Sequence, residues 1–302
     1  MAIIMMKGKI KMAIRLVIDS ASDILPEEAE AMGMIHVPLT VRFGDEEYRD
    51  GVDLTHGRFY EMLVEGDTVP RTSQIPPAVF EGIFSELIEE GDDVVAVTVS
   101  SKLSGTYRSA YLAAQSCKGR VFVVDSESVC IGERILIERG LQLIADGLSA
   151  EDVARTLDSE KKRVHVLALL DSLEYLKKGG RISSAVAFAG GILGIKPVIT
   201  VEDGEVSLLG KARGSKQGNN LLRQFVDKVG GIDFDRPAAL AYSGLSDTLL
   251  QKYIIDSAEV WKGKADDLPV YTVGCTIGTH AGPGAIAVAF FEAEQDVAAP
   301  QE

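Results

Sequence analysis

Cysteine is scarce: Cys117, Cys130 and Cys275 are the only three in 302 residues. They are widely spaced, with no C-x-x-C pair and no cysteine–histidine ligand pattern. A disulfide framework and a zinc module are therefore not expected. Positive charge is also short, with 31 Lys and Arg against 45 Asp and Glu, a net charge of −14. Such a surface repels phosphate backbones and anionic membranes, which argues against nucleic-acid binding and allows at most transient membrane contact. Long apolar runs are missing too. The uncharged stretch Ile182–Ile195 is shorter than the ~20 residues a spanning helix needs and is broken by glycine and serine. Residues 1–12 carry three lysines and four methionines but no apolar core or small-residue cleavage site. They read as a leader or an early start codon, with structure beginning near Met12 and the reducing cytoplasm as the expected compartment.

What is present is a globular composition, 46% hydrophobic and 25% charged, long enough for two domains. Ala13–Ile18 reads as a buried strand and Pro26–Met32 as a short helix. Ile35–Phe43 and Glu46–Val52 read as an extended pair turning at Gly44–Asp45. Phe80, Ile83, Phe84, Leu87 and Ile88 repeat at helical spacing, with Gly91 as the C-cap. Val94–Val99, a polar loop, the helix Thr106–Ser116 and Val121–Val124 form a βαβ unit and imply a parallel sheet. Helices follow over Ile131–Ala145 and after Ser149. From Val164 the rhythm changes. Val164–Leu170 is a strand, Ser172–Lys178 a short helix, and Val198–Val201 and Val206–Leu209 flank a hairpin turn at Asp203–Gly204. Helices over Lys216–Val229 and Asp247–Lys262 alternate with strands at Ala238–Ala241, Val270–Gly274 and Ala285–Phe291. The expected fold is an α/β N-terminal domain with a parallel sheet, residues 13–163, and an α+β C-terminal domain, residues 164–302.

The run Ser100-Ser-Lys-Leu-Ser-Gly-Thr106 follows a predicted parallel strand and opens a helix. Ligands of open α/β sheets bind at such carboxyl ends, and free N–H groups at a helix start favour an anion. Ser101, Ser104 and Thr106 offer hydroxyls, and Gly105 allows close backbone approach. The same serines also suit plain helix capping. Thr72 precedes the Phe80–Ile88 helix and either caps it or joins Ser104 around one anion. His280 lies in Gly278-Thr-His-Ala-Gly-Pro-Gly284, between two strand-like segments, where glycines let its ring approach a ligand. His36, His56 and His165 read as isolated surface or core residues. Arg181 and Arg213 are basic spots on an acidic chain, suited to phosphate, to an acidic partner or simply to solvent.

Together, Val17-Ile-Asp-Ser-Ala-Ser-Asp23, Thr72-Ser-Gln74, Ser100–Tyr107, Leu173–Ile182 and His280-Ala-Gly-Pro-Gly284 resemble the DegV family, which includes the fatty-acid-binding subunits of bacterial fatty acid kinase. The resemblance runs from about Ile14 to Phe291. It departs at Ile75-Pro76-Pro77, where Pro-Ser/Thr-Pro is common. It implies one fatty acid, palmitate- or oleate-like, lying between and within the domains, with no other cofactor and no resident metal. Thr72 and Ser104, with Gly105 and Thr106, would bind its carboxylate beside His280. Arg181 and Arg213 would serve work with the kinase subunit, which supplies ATP and catalysis. The carrier would then move the acyl phosphate towards phospholipid synthesis.

Phe188, Ile192, Leu193 and Ile195 are tunnel-wall candidates, and equally ordinary core. Burial of a sixteen-carbon chain is worth roughly 10 kcal/mol gross at ~0.8 kcal/mol per CH₂, enough to offset desolvation of one hydrogen-bonded carboxylate. A protonated His280 would add electrostatic attraction. The competing expectation is a serine hydrolase using Ser104, His280 and an acid such as Asp19 or Asp125. The G-x-S-x-G elbow of one such class is absent.

Overall fold

The computed structural model describes residues 13–66, 68–182, 194–261, 263–264 and 267–293. Strand β1 (Ile14–Asp19) buries its last four residues and pairs in parallel with β2 (Ile35–Val37) and β6 (Asp93–Thr98). With β7 (Val121–Asp125) they make a sheet in the order β2-β1-β6-β7, parallel throughout. The expected strand Ile35–Phe43 is two strands. Pro38 has no N–H to donate to a ladder, so pairing stops there. The chain resumes as β3 (Thr40–Phe43), which turns at Gly44 into β4 (Glu46–Arg49) and joins β5 (Arg71–Ser73) in a separate three-stranded sheet.

The second sheet holds β8 (Val164–Leu169), β9 (Ile195–Glu202), β10 (Glu205–Arg213), β11 (Ala239–Tyr242), β12 (Val270–Thr272) and β13 (Ile286–Phe291). Its order is β10-β9-β8-β13-β11-β12, antiparallel except between β11 and β12. The two sheets face each other across the Ile131–Ala145 helix. That helix buries Ile131, Ile135, Leu136 and Ile137 and touches strands of both sheets, and a helix packed on several sides is apolar nearly all round. The tip of the β9–β10 hairpin closes onto the first domain, where Ser100 Oγ donates to the Gly204 carbonyl at 2.7 Å.

Two helical expectations change. The predicted Asp247–Lys262 helix ends at Asp256 and restarts over Ala258–Trp261, with Ser257 outside helical geometry. In an unbroken helix Tyr253 and Trp261 would stand about 12 Å apart along the axis; the break brings their rings to 5.7 Å, edge to face. Residues 275–281, read as part of a connection, are a helix, Cys275–Ala281. Gly278, two threonines, a cysteine and a histidine give it weak intrinsic propensity. Tertiary contacts supply the rest. Asp50 Oδ1 accepts the Cys275 N–H and Oδ2 the Thr276 N–H, each at 3.0 Å, a charge-assisted cap on free helical donors. A side chain at Gly278 would meet Phe59 and Tyr60 within 2.7 Å, so glycine allows this helix to lie against the His56–Glu65 helix.

Candidate functional site

The parallel sheet reverses direction of growth at β1, which has β2 on one side and β6 on the other. The crevice at such a switch point receives ligands in open α/β folds. Here β1 ends at Asp19 and runs on into Ser20, Ser22 and Asp23, all buried. Asp19 Oδ1 accepts the Ala21 N–H at 2.9 Å and Oδ2 the Val99 N–H at 2.8 Å. One carboxyl thus ties together the two chain segments that open the crevice. Burial pushes the Asp19 pKa up to about 7 against these two hydrogen bonds.

Above this crevice lies a cavity of about 110 Å³, several times the ~10–15 Å³ that one water needs. The first domain contributes Ala21, Val99 and Leu103 to its wall. The second contributes Val166, Ala168 and Leu170, alternate residues that point to one face of their strand, with Ile199 and Val201 of β9 and Ala287 of β13 beside them. The lining is overwhelmingly aliphatic.

Polar groups gather in one part of that wall: Thr72, Ser73, Gln74, Ser104, Arg181 and His280. Thr72 Oγ1 and His280 Nε2 are 2.9 Å apart. His280 Nδ1 is buried with no hydrogen-bond partner among the described residues. Gly179 stands against it so closely that a β-carbon there would be 2.0 Å from Nδ1. Arg181 donates from Nε to the Leu103 carbonyl at 3.2 Å and from Nη1 to the Gly179 carbonyl at 2.6 Å. No carboxylate pairs with it among the described residues, in a chain rich in acids. Its guanidinium is half-buried, which lowers its pKa from the usual value, yet an arginine remains charged.

The protonated His280 expected from sequence is corrected by this geometry. Burial, and then the Arg181 charge, hold its pKa down to about 4, so the ring is neutral near pH 7. The cation of the site is Arg181. An acid held there would meet a guanidinium and the Thr72 and Ser104 hydroxyls, with the His280 ring held behind Thr72.

Four sequence-selected residues, Thr72, Ser104, Arg181 and His280, therefore share one wall. Gly105 and Thr106 stand behind it. The Thr106 hydroxyl contacts Ser104 Oγ at 2.9 Å and accepts the Ile75 N–H at 3.4 Å. A β-carbon at Gly105 would fall 1.9 Å from Gln74 Oε1. That close approach seats Gln74, whose Nε2 donates to Ser109 Oγ at 3.1 Å. Gln74 is a wall residue that sequence reasoning quoted only within a motif. Ser101 is exposed, and its N–H is bonded to Asp125. Arg213 is exposed at the end of β10, outside the wall. Ile195 pairs with Arg213 and is not a wall residue either. Phe188, Ile192 and Leu193 lie outside the described residues, as do residues 1–12.

The hydrolase arrangement is not formed. Ser104 Oγ contacts Thr106 and His280 contacts Thr72, so nucleophile and base do not meet. Neither Asp19, bonded to Ala21 and Val99, nor Asp125, bonded to Ser101 and Glu127, orients the imidazole. No helix among the described residues is long and apolar enough to cross a membrane.

Comparison with known proteins places this site in context. The family model described as "Uncharacterised protein, DegV family" matches residues 13–293. A DegV domain-containing protein of Caldanaerobacter subterraneus subsp. tengcongensis is 36% identical over 283 residues, covering 92% of this chain and 98% of that one. Among solved structures, a fatty-acid-binding DegV family protein from Thermus thermophilus superposes with a TM-score of 0.82 at 32% identity, over 93% of this chain and 100% of that one. A stearic-acid-binding protein from Eubacterium ventriosum superposes with a TM-score of 0.78 at 28% identity, over 92% and 97% of the two chains.

Proposed function

This chain belongs to the DegV family, and from that premise we propose that it is a carrier for a long-chain fatty acid. The carboxylate lies against Arg181, Thr72, Ser104 and His280, and the acyl chain runs into the aliphatic cavity. The observation that carries this reading is Arg181, half-buried and without a carboxylate partner among the described residues, at the polar part of an otherwise apolar cavity. Its two hydrogen bonds go to neutral carbonyls, so the half-buried charge lacks a counter-charge that a ligand carboxylate would supply. The fatty acids bound by the Thermus and Eubacterium relatives support the same ligand class.

The finer steps of the proposal rest on the family resemblance. The chain has no Walker-type phosphate loop, so phosphoryl transfer from ATP falls to a separate kinase subunit. The carrier presents the carboxylate to it and takes the acyl phosphate on towards phospholipid synthesis. Arg213, exposed at the end of β10, is suited to contact such a partner. Arg181 serves the ligand first, since it lines the cavity beside Thr72, Ser104 and His280.

The test is native mass spectrometry of gently purified protein, with extraction and identification of the bound lipid. The expected result is one fatty acid per chain, or stoichiometric uptake of added palmitate or oleate. Protein that carries no lipid and takes up neither acid defeats the proposal. Ester turnover abolished by Ser104→Ala would favour the hydrolase instead.

A further inference from the structure

Asp50, His56 and Cys275 are separated by up to 225 positions in sequence, yet one donor atom from each lies within 4.8 Å of the other two. We propose that these three side chains form a site for a zinc-type divalent ion, with carboxylate, imidazole and thiolate as ligands. Neither this set nor its location belongs to the lipid cavity, and the proposal does not rest on the lipid reading.

The chemistry of the donors selects the ion. A mixed O, N and S set suits zinc, whose bonds to them are about 2.0–2.3 Å. Three donors at this spacing can converge on one ion. Three protein ligands also leave a fourth tetrahedral position for water. The outer contacts are those a metal site needs. Asp50 is fixed by the Cys275 and Thr276 N–H groups and by Ser20 Oγ at 3.2 Å. A carboxylate has about four acceptor positions, so one remains for an ion. His56 lies at the start of its helix beside the Thr272 backbone and Gly274, which confines its ring. Cys275 Sγ donates to the Leu54 carbonyl at 3.4 Å. Metal binding replaces that S–H bond with a metal–sulfur bond, and the thiol proton goes to solvent.

There is also a way in. A surface groove reaches His56 past Asp23, Glu27, Glu28, Gly51 and Thr55. Three of those side chains are acidic and no Lys or Arg is among the described groove residues; Glu28 is paired with Arg134, which leaves Glu27 and Asp23 to attract a cation. An ion there would bridge the segment after β4, the start of the His56–Glu65 helix and the start of the helix that carries His280.

The experiment uses the full chain after chelator treatment. Titration with Co²⁺ should give a sulfur-to-cobalt charge-transfer band that saturates at one ion per chain, and added Zn²⁺ should bleach it. Cys275→Ser should abolish the band and weaken Zn²⁺ binding at least about tenfold. His56→Gln should weaken binding by a similar factor while keeping a sulfur band, and Cys117→Ser should change neither. Thermal melts without metal check that each variant folds; if Cys275→Ser does not, His56→Gln alone decides. Absence of a one-to-one site, persistence of the band in folded Cys275→Ser, or Zn²⁺ affinity unchanged by His56→Gln overturns the proposal. Palmitate binding measured in parallel separates failure here from failure of the lipid reading.

Discussion

Gly179→Ala puts the geometry of the head-group site to a direct test. The added carbon would sit 2.0 Å from His280 Nδ1 and 2.7 Å from Cε1. Ordinary carbon contacts are ~3.5–4.0 Å, so the ring must retreat by well over an ångström. It is buried and has one hydrogen bond, to Thr72 at 2.9 Å, which that movement breaks. Loss of such a bond costs roughly 0.5–1.5 kcal/mol, about two- to tenfold in Kd. The opposing effect is helix propensity, since alanine is favoured over glycine by up to ~1 kcal/mol inside a helix; Gly179 ends its helix, so the gain there is smaller. Gly82→Ala isolates that gain, because it lies within the Pro77–Glu90 helix with nothing within 4 Å of its added carbon. Palmitate titration by calorimetry and thermal melts should separate the two. Gly82→Ala should melt higher by about 2 °C and bind normally. Gly179→Ala should bind palmitate two- to tenfold more weakly. If Gly179→Ala binds within twofold of the parent and melts higher, His280 does not need its observed position and the reasoning fails.

Two further outcomes are expected. Arg181→Gln should weaken palmitate binding roughly tenfold or more, the scale of a charge-assisted hydrogen bond, and should raise the His280 pKa because one of the two causes holding it down is removed; unchanged affinity together with an unchanged imidazole titration by NMR would sink both assignments. His280 also links stability to acid. It is held at about 4 in the fold against a usual value of 6.5, so the unfolded chain binds the extra proton in that window and stability falls as pH drops from 6.5 towards 4. The difference is worth roughly 3 kcal/mol at most. Denaturant melts should show that slope in the parent and a shallower one in His280→Asn, and equal slopes would remove His280 as its source.

The buried acids explain a motif that local reasoning cannot. Val17-Ile-Asp-Ser-Ala-Ser-Asp23 looks like a strand followed by turn residues. In the fold Asp19 bonds across to Val99, Ser20 reaches Leu39 and Asp50, and Asp23 accepts the Gly274 N–H at 2.9 Å. The segment therefore joins β1 to the crevice, to the small sheet and to the helix bearing His280. Burial pushes the Asp23 pKa up to about 7, the electrostatic cost of placing carboxyls at such a junction.

Sequence by itself determined the elements whose pattern is local. The βαβ unit around Ser100–Thr106, the amphipathic Pro77–Glu90 helix with its Gly91 cap and the Asp203–Gly204 hairpin follow from periodicity and turn chemistry within a dozen residues. It also picked out Thr72, Ser104, Arg181 and His280, through short motifs whose order resembles one family. Tertiary structure alone decided how those residues are arranged. His280 is on a helix because Asp50 caps it from 225 positions away and Gly278 lets it pack closely. Its ring is neutral because burial and Arg181 surround it, and Arg181 lines the cavity rather than standing only as a surface charge. Gln74 enters the wall because Gly105 lacks a side chain. The metal-like set of Asp50, His56 and Cys275 has no spacing to betray it. Hydrophobic periodicity is written along a few turns of chain, whereas desolvation, capping and ligand convergence depend on distances that exist only after the two sheets close over the Ile131–Ala145 helix.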